Sequence, residues 1–150
     1  MPSDLATMMR EADAALLIGD DALRAYWQSN DVLKYDLGAE WAEWTGVPMV
    51  YAVWAVRREF AESRPDAVAE VSNALADSLA YCRAHLDDIS EYAARWESFP
   101  VTYFRSYFDA LQFRFEPQYR EGLRRYLEEA AAIDEIDSVP VIDVFGAQDR

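Results

Sequence analysis

Cysteine and histidine are almost missing from this chain: its 150 residues hold one of each, Cys82 and His85. One cysteine allows no internal disulfide, which fits a reducing compartment and a cytoplasmic location. With one histidine and no second cysteine, the ligand spacing of a zinc site does not occur, so no metal is expected. Glycine is sparse at five residues, and neither a glycine-rich phosphate loop nor a Gly-x-Ser-x-Gly elbow is present. Basic residues number 14 against 28 acids. The net charge of −14 leaves no basic patch for nucleic acid or for an anionic membrane surface. Long apolar runs are missing too. The longest uncharged one, Val47 to Val56, has ten residues, and a bilayer needs about 20. Met1-Pro2-Ser3-Asp4 has no basic n-region and leads into no apolar h-region, so no signal peptide is expected.

What is present is apolar and aromatic. Apolar residues make up 52% and aromatics 14%, enough to fill the core of one domain of ordinary size. The stretch Ala14 to Val56 organises the rest. Ala14 to Ile18 lacks polar alternation, as a strand buried on both faces would, and it ends in Gly19, Asp20 and Asp21. A parallel strand needs neighbours, and the residues before Ser3 supply none. Met49 to Val56 reads as a second, central strand.

Around these strands the pattern is helical. Ser3 suits an N-cap for a helix from Asp4 to Glu11, and Ala22 to Trp27 can form a turn or two. Gln28 to Asp31 reads as a turn, Val32 to Leu37 as a short extended piece ended by Gly38, and Glu40 to Trp44 as a helix capped by Gly46. Ala61 to Arg64 reads as a loop. Pro65 opens the clearest helix, whose stripe Val68, Val71, Leu75, Leu79, Cys82 and Leu86 predicts a core-facing side. Further helices are expected over 88–97, 100–108 and from Pro117 to Ala130, the last burying Tyr119, Leu123, Tyr126, Leu127 and Ala130. Leu111 to Phe115 is open between strand and helix, and Val139 to Phe145 suits an extended segment.

Each chemical candidate has a plain structural explanation beside it. His85 suits the last turn of its helix, where the dipole favours it, and Cys82 reads as a small buried hydrophobe. Asp20 and Asp21 stand at a strand end, where ligands of α/β folds gather. Helix capping accounts for Asp21 and competes with a cleft role for Asp20. Trp41, Trp44 and Trp54 could line a pocket or simply fill the core. Thr45 and Gly46 could present a hydroxyl and an N–H, and helix termination explains them equally well.

Taken in order, Ala15-Leu16-Leu17-Ile18-Gly19-Asp20-Asp21-Ala22-Leu23, Tyr35-Asp36-Leu37-Gly38, Glu40-Trp41, Trp44-Thr45-Gly46, Pro48 and Tyr51-Ala52-Val53-Trp54-Ala55-Val56-Arg57 resemble the chorismate dehydratase family. Gly122-Leu123-Arg124-Arg125 with Tyr126 is similar to that family's last helix. The likeness weakens after Arg57, and Phe113-Arg114-Phe115-Glu116-Pro117 departs from the family's usual turn. The resemblance implies an α/β fold, a partial periplasmic-binding-protein-like type II architecture: helix-rich, with an incomplete mixed sheet. It implies that residues 1–46 are a remnant of a second lobe and hinge, and 47–150 the C-terminal part of a first lobe. It implies dehydration of chorismate to 3-[(1-carboxyvinyl)oxy]benzoate in the futalosine route to menaquinone, without a cofactor. Gly19, Asp20, Thr45, Gly46 and Trp54 would face the substrate, and no catalytic residue is assigned.

The resemblance covers the family's C-terminal half, so the expectation is a truncated chain, inactive alone. Such a chain would self-associate or pair with a chain carrying the missing lobe. The alternatives are a non-catalytic module that binds a small carboxylate or a protein partner, and a decayed gene fragment.

Overall fold

The computed structural model describes residues 5–28 and 31–146. Eight helices lie among them: α1 (Leu5–Glu11), α2 (Gly19–Gln28), α3 (Leu37–Thr45), α4 (Arg58–Ser63), α5 (Pro65–Ala84), α6 (Leu86–Ala93), α7 (Val101–Ala110) and α8 (Pro117–Ala132). No strand is assigned among the described residues, so the incomplete mixed sheet gives way to a helix-rich architecture. Ala14–Ile18 and Met49–Val56 run without regular structure. The reason is cooperative: a strand is held by its ladder, and without a paired neighbour its backbone groups return to water. Leu111–Glu116 and Val139–Phe145 likewise form neither helix nor strand. No described helix is long and apolar enough to cross a membrane.

The chain divides into two units, Met1–Gly46 and Val47–Arg150. In the first, α2 opens on Gly19, whose φ of 61° is the left-handed conformation that glycine adopts without a Cβ penalty. Asp20 and Asp21 fill its first turn, where carboxylates complement the helix dipole. Helix α3 begins earlier than its tryptophans suggest. The Asp36 side chain accepts from the Gly38 N–H (2.9 Å) and the Ala39 N–H (3.2 Å), a full N-cap. Gly38 therefore lies inside the first turn and ends nothing. Helix α1 matches expectation, whereas Ser3, Asp4, Ser29 and Asn30 lie outside the described residues.

The second unit is centred on α6 and α7. Phe99 and Phe104, 6% and 7% exposed, meet edge to face with ring centroids 5.8 Å apart. Tyr103 stacks on Phe99 at 4.8 Å, and Phe108 on Phe104 at 5.7 Å. Ser90 of α6 is fully buried, its hydroxyl donating to the Leu86 carbonyl at 2.6 Å. An Arg105–Asp87 ion pair links α7 to α6. Helix α8 is held by contact at Gly122, where a built Cβ would stand 2.1 Å from the Pro48 carbonyl oxygen. On its outer side Arg124 pairs with Glu121 and Glu128, and Arg125 with Glu129 at 2.7 Å. The tail returns to α4 through Asp143 and Arg58, 2.5 Å apart.

Several expected core faces stay open. No residue of α5 is buried, and Val71, in the middle of its stripe, is 60% exposed. Of α8 only Gly122 is buried, with Tyr126 exposed. Arg58–Ser63 forms helix α4, so the loop expected at Ala61–Arg64 begins only at its end. The accessible surface totals 12280 Å². In the second unit, helices α5 and α8 thus present more apolar face than the described residues cover.

Two substitutions test this packing. An interior helix glycine changed to alanine ordinarily gains up to about 1 kcal/mol. Gly122→Ala should instead lose about 1–3 kcal/mol in urea unfolding, because Pro48 presents backbone that cannot step aside. A gain would mean that the contact is absent. The hydrogen bond from Arg124 holds the Glu121 carboxyl below the usual carboxylate range. Its contribution is therefore present above that range and lost as acid carries the pH through the lowered value. Helical content, followed by circular dichroism, should fall less on acidification in Glu121→Gln than in the parent chain.

Candidate functional site

The candidate residues sit at three places. Gly19 and Asp20 open α2, Thr45 and Gly46 close α3, and Trp54 lies in the irregular stretch of the second unit. Four of the five belong to the first unit and one to the second.

At the start of α2 the two carboxylates separate in role. Asp21 pairs with Arg24 one turn on, Oδ1 to Nη1 at 2.9 Å, with both side chains part-exposed. Asp20 is exposed and makes no salt bridge among the described residues. Capping and ion pairing thus account for Asp21. Asp20 keeps its oxygens available to accept a hydrogen bond or a proton from a ligand. Gly19 has open space where a Cβ would stand, so its backbone turn, and not crowding, is what calls for glycine.

At the end of α3 the local geometry uses much of what the residues offer. The Thr45 hydroxyl donates to the Trp41 carbonyl at 2.7 Å. The Gly46 N–H donates to the Ala42 carbonyl at 2.9 Å with φ at 76°, a left-handed helix end. The pair terminates the helix first and offers no free N–H. Trp41 is buried and meets exposed Trp44 edge to face at 5.5 Å, so the two indoles share one side of α3 as their spacing predicts. Trp54 is 84% exposed and belongs to no core.

Of the cavities in the second unit, two are described, and no candidate residue lines either. One, about 340 Å³, lies between Pro117–Arg124 and Ile142–Val144. Its arginines are occupied: Arg120 donates to the Phe115 carbonyl, and Arg124 holds two glutamates. The other, about 540 Å³, is bounded by Leu79, Cys82, Leu86, Ile89, Phe108 and Phe113. Cys82 is only part-buried there, and His85 caps α5 with its ring stacked on Tyr81 at 4.0 Å. No cluster of three or more metal-ligating side chains occurs among the described residues.

The sequence reading passed over the cations of the first unit. Arg24 neutralises Asp21, and Lys34, the only lysine, reaches back to the Tyr26 carbonyl and lies 5.1 Å from that ring's centroid. The i, i+3 spacing of Asp21 and Arg24 carried that signal. Lys34 meets Tyr26 eight residues back, a separation that no periodicity reports.

A family model described as menaquinone biosynthesis matches residues 1–132. The match spans both units, including all five candidate residues and helices α1 to α8.

The helix ends can be tested apart from any ligand. Gly46→Ala should cost about 1 kcal/mol of stability from its left-handed backbone alone, since nothing stands within 4 Å of the new methyl. Asp36→Ala should cost about 1 kcal/mol through loss of the cap. Chemical denaturation reads both, and a neutral result at Asp36 would mean that α3 starts elsewhere.

Proposed function

The chain belongs to a family of menaquinone biosynthesis, and from that premise we propose that it is a chorismate dehydratase, serving the dehydration of chorismate to 3-[(1-carboxyvinyl)oxy]benzoate. One ring proton and the neighbouring hydroxyl leave together as water, and the ring becomes aromatic. Aromatisation supplies the driving force. The protein's work is then to orient the substrate, assist the proton and keep water out.

The observation that carries this reading is the family match over residues 1–132, with Gly19-Asp20 at a left-handed turn opening α2. Asp20 would accept from the substrate, Gly19 would let the backbone approach it, and Thr45, Gly46 and Trp54 would wall the cleft. Arg24 and Lys34 would temper the acidic field of the first unit toward a dicarboxylate. The fold we propose for the working protein is periplasmic-binding-protein-like. In it residues 1–46 belong to the second lobe and hinge, 47–150 to the first lobe, and Ala14–Ile18 and Val47–Val56 gain strand partners. Asp20 and Trp54 stand open to water. A site that must exclude water is therefore closed by further polypeptide, and residues 1–150 alone do not turn chorismate over.

Disruption of the gene should deplete menaquinone, and feeding 3-[(1-carboxyvinyl)oxy]benzoate should restore it. Unchanged menaquinone, or no rescue by that compound, would overturn the proposal. Asp20→Asn, returned to the disrupted strain, should restore at most about a tenth of parental menaquinone under limiting expression. The purified chain mixed with chorismate should leave it unconsumed, by chromatography and mass; turnover would refute the need for further polypeptide. The openness of Asp20 and Trp54 also suits a module that binds a carboxylate without catalysis. Rescue by feeding separates the two, since a binding module has no product to replace.

A further inference from the structure

Cys82, Leu86, Ile89 and Phe108 border about 540 Å³ of space, within the roughly 300–1,000 Å³ that small-molecule pockets span. Each of the four is half-buried. Their helices are held independently of the space between them. Helices α5 and α6 meet at His85, whose N–H is bonded to the Tyr81 and Cys82 carbonyls. Helix α7 is tied to α6 by the Arg105–Asp87 pair. After α7 the backbone becomes extended at Leu111, which brings Leu111 and Phe113 to the remaining side. Closing the cavity from within would therefore need backbone to move. Water fills such a space poorly, because the half-buried walls are apolar and the polar lining residues, Arg83, Asp109 and Gln112, are all exposed.

We propose that this cavity binds an uncharged aromatic molecule of about two or three rings, carrying a single hydrogen-bonding group. The inference stands apart from the proposed reaction, since none of the five candidate residues lines the cavity. The aromatic body follows from the walls. Phe108 and Phe113 offer ring faces and edges, which attract another ring beyond what its buried area alone supplies. The Cys82 sulfur adds a polarisable contact that rings also favour. The absence of charge follows from the exposed lining residues. Arg83 and Asp109 carry opposite charges and make no ion pair or hydrogen bond among the described residues. A carboxylate drawn to Arg83 would also meet Asp109, within a chain whose net charge of −14 repels anions. An ammonium group would meet Arg83 instead. The hydrogen-bonding group belongs with Gln112. The amide nitrogen of that side chain reaches the Ala110 carbonyl at 3.5 Å, and its oxygen is left to accept.

N-phenyl-1-naphthylamine, an uncharged aromatic probe whose emission rises in apolar surroundings, tests this on the full chain. Fluorescence titration should give one site per chain with a Kd of about 10–100 μM, unchanged by salt. Its sulfonated counterpart, 8-anilinonaphthalene-1-sulfonate, should bind at least about tenfold more weakly. Near saturation the uncharged probe should slow iodoacetamide alkylation of Cys82, the only cysteine, at least about fivefold. Cys82→Trp fills the space and should weaken probe binding at least about tenfold, and Phe113→Ala about three- to tenfold. Phe113 is exposed, so its loss should leave helical circular dichroism unchanged. Val71→Asp, on the exposed part of α5 outside the cavity, should leave binding as it is. The proposal is overturned if binding does not saturate within the probe's solubility, or if the sulfonate binds as tightly. Alkylation of Cys82 at the same rate with and without probe would also overturn it. So would binding that Val71→Asp removes and that Cys82→Trp and Phe113→Ala leave intact.

Discussion

Contact between the Gly122 face of α8 and the Pro48 carbonyl is the constraint on which the second unit's arrangement rests. Any side chain at position 122 would push the helix off the backbone it lies against. Because glycine allows the approach, the start of the irregular stretch is pinned while residues 51–57 are exposed. Proline at 48 adds to this by denying that point a donor, so the contact is made through the carbonyl side. The exposed segment is thus anchored at one end by α8 and at the other by α4.

A small aromatic core supports the rest. Phe99 and Phe104 are the apolar side chains buried in the second unit, and the rings of Tyr103, Tyr107 and Phe108 extend the cluster along α7. Two well-buried rings contribute a few kcal/mol, about the scale of a marginal domain. Helices α5 and α8 have their amphipathic patterns without a matching surface among the described residues.

Helices were legible wherever local chemistry decided them. Pro65 and Pro117 at helix starts, Gly46 at a helix end and the Asp20-Asp21 first turn all read directly from the residues. Asp36 was missed as a cap because Gly38 two positions on looked like a breaker, whereas a glycine in a first turn costs little. The strands at 14–18 and 47–56 show the limit of periodicity. Composition reports that a segment would suit a sheet, but a sheet is a property of several segments, and its partners are not encoded locally. The α5 stripe has the same character: spacing identifies the face, not what it touches. For the site, the turn at Gly19 and the cap at Gly46 were readable. The residues already set Asp21 toward capping and left Asp20 open between capping and a cleft role; the Arg24 ion pair is what the structure adds to that separation.

The ion pair between Arg58 and Asp143 joins residues 85 positions apart. On a ribosome adding roughly 5–20 residues each second, Arg58 waits about 4–17 s before its carboxylate partner is made. Gly122, which pins Pro48, arrives only shortly before. During that interval the stretch with Tyr51, Val53 and Trp54 emerges with neither anchor in place. It is an uncharged apolar run, in the open while the helices that tether it are still being synthesised. Cells that make this protein therefore have reason to shield it early, and the need for a chaperone is set by the order of residues along the chain.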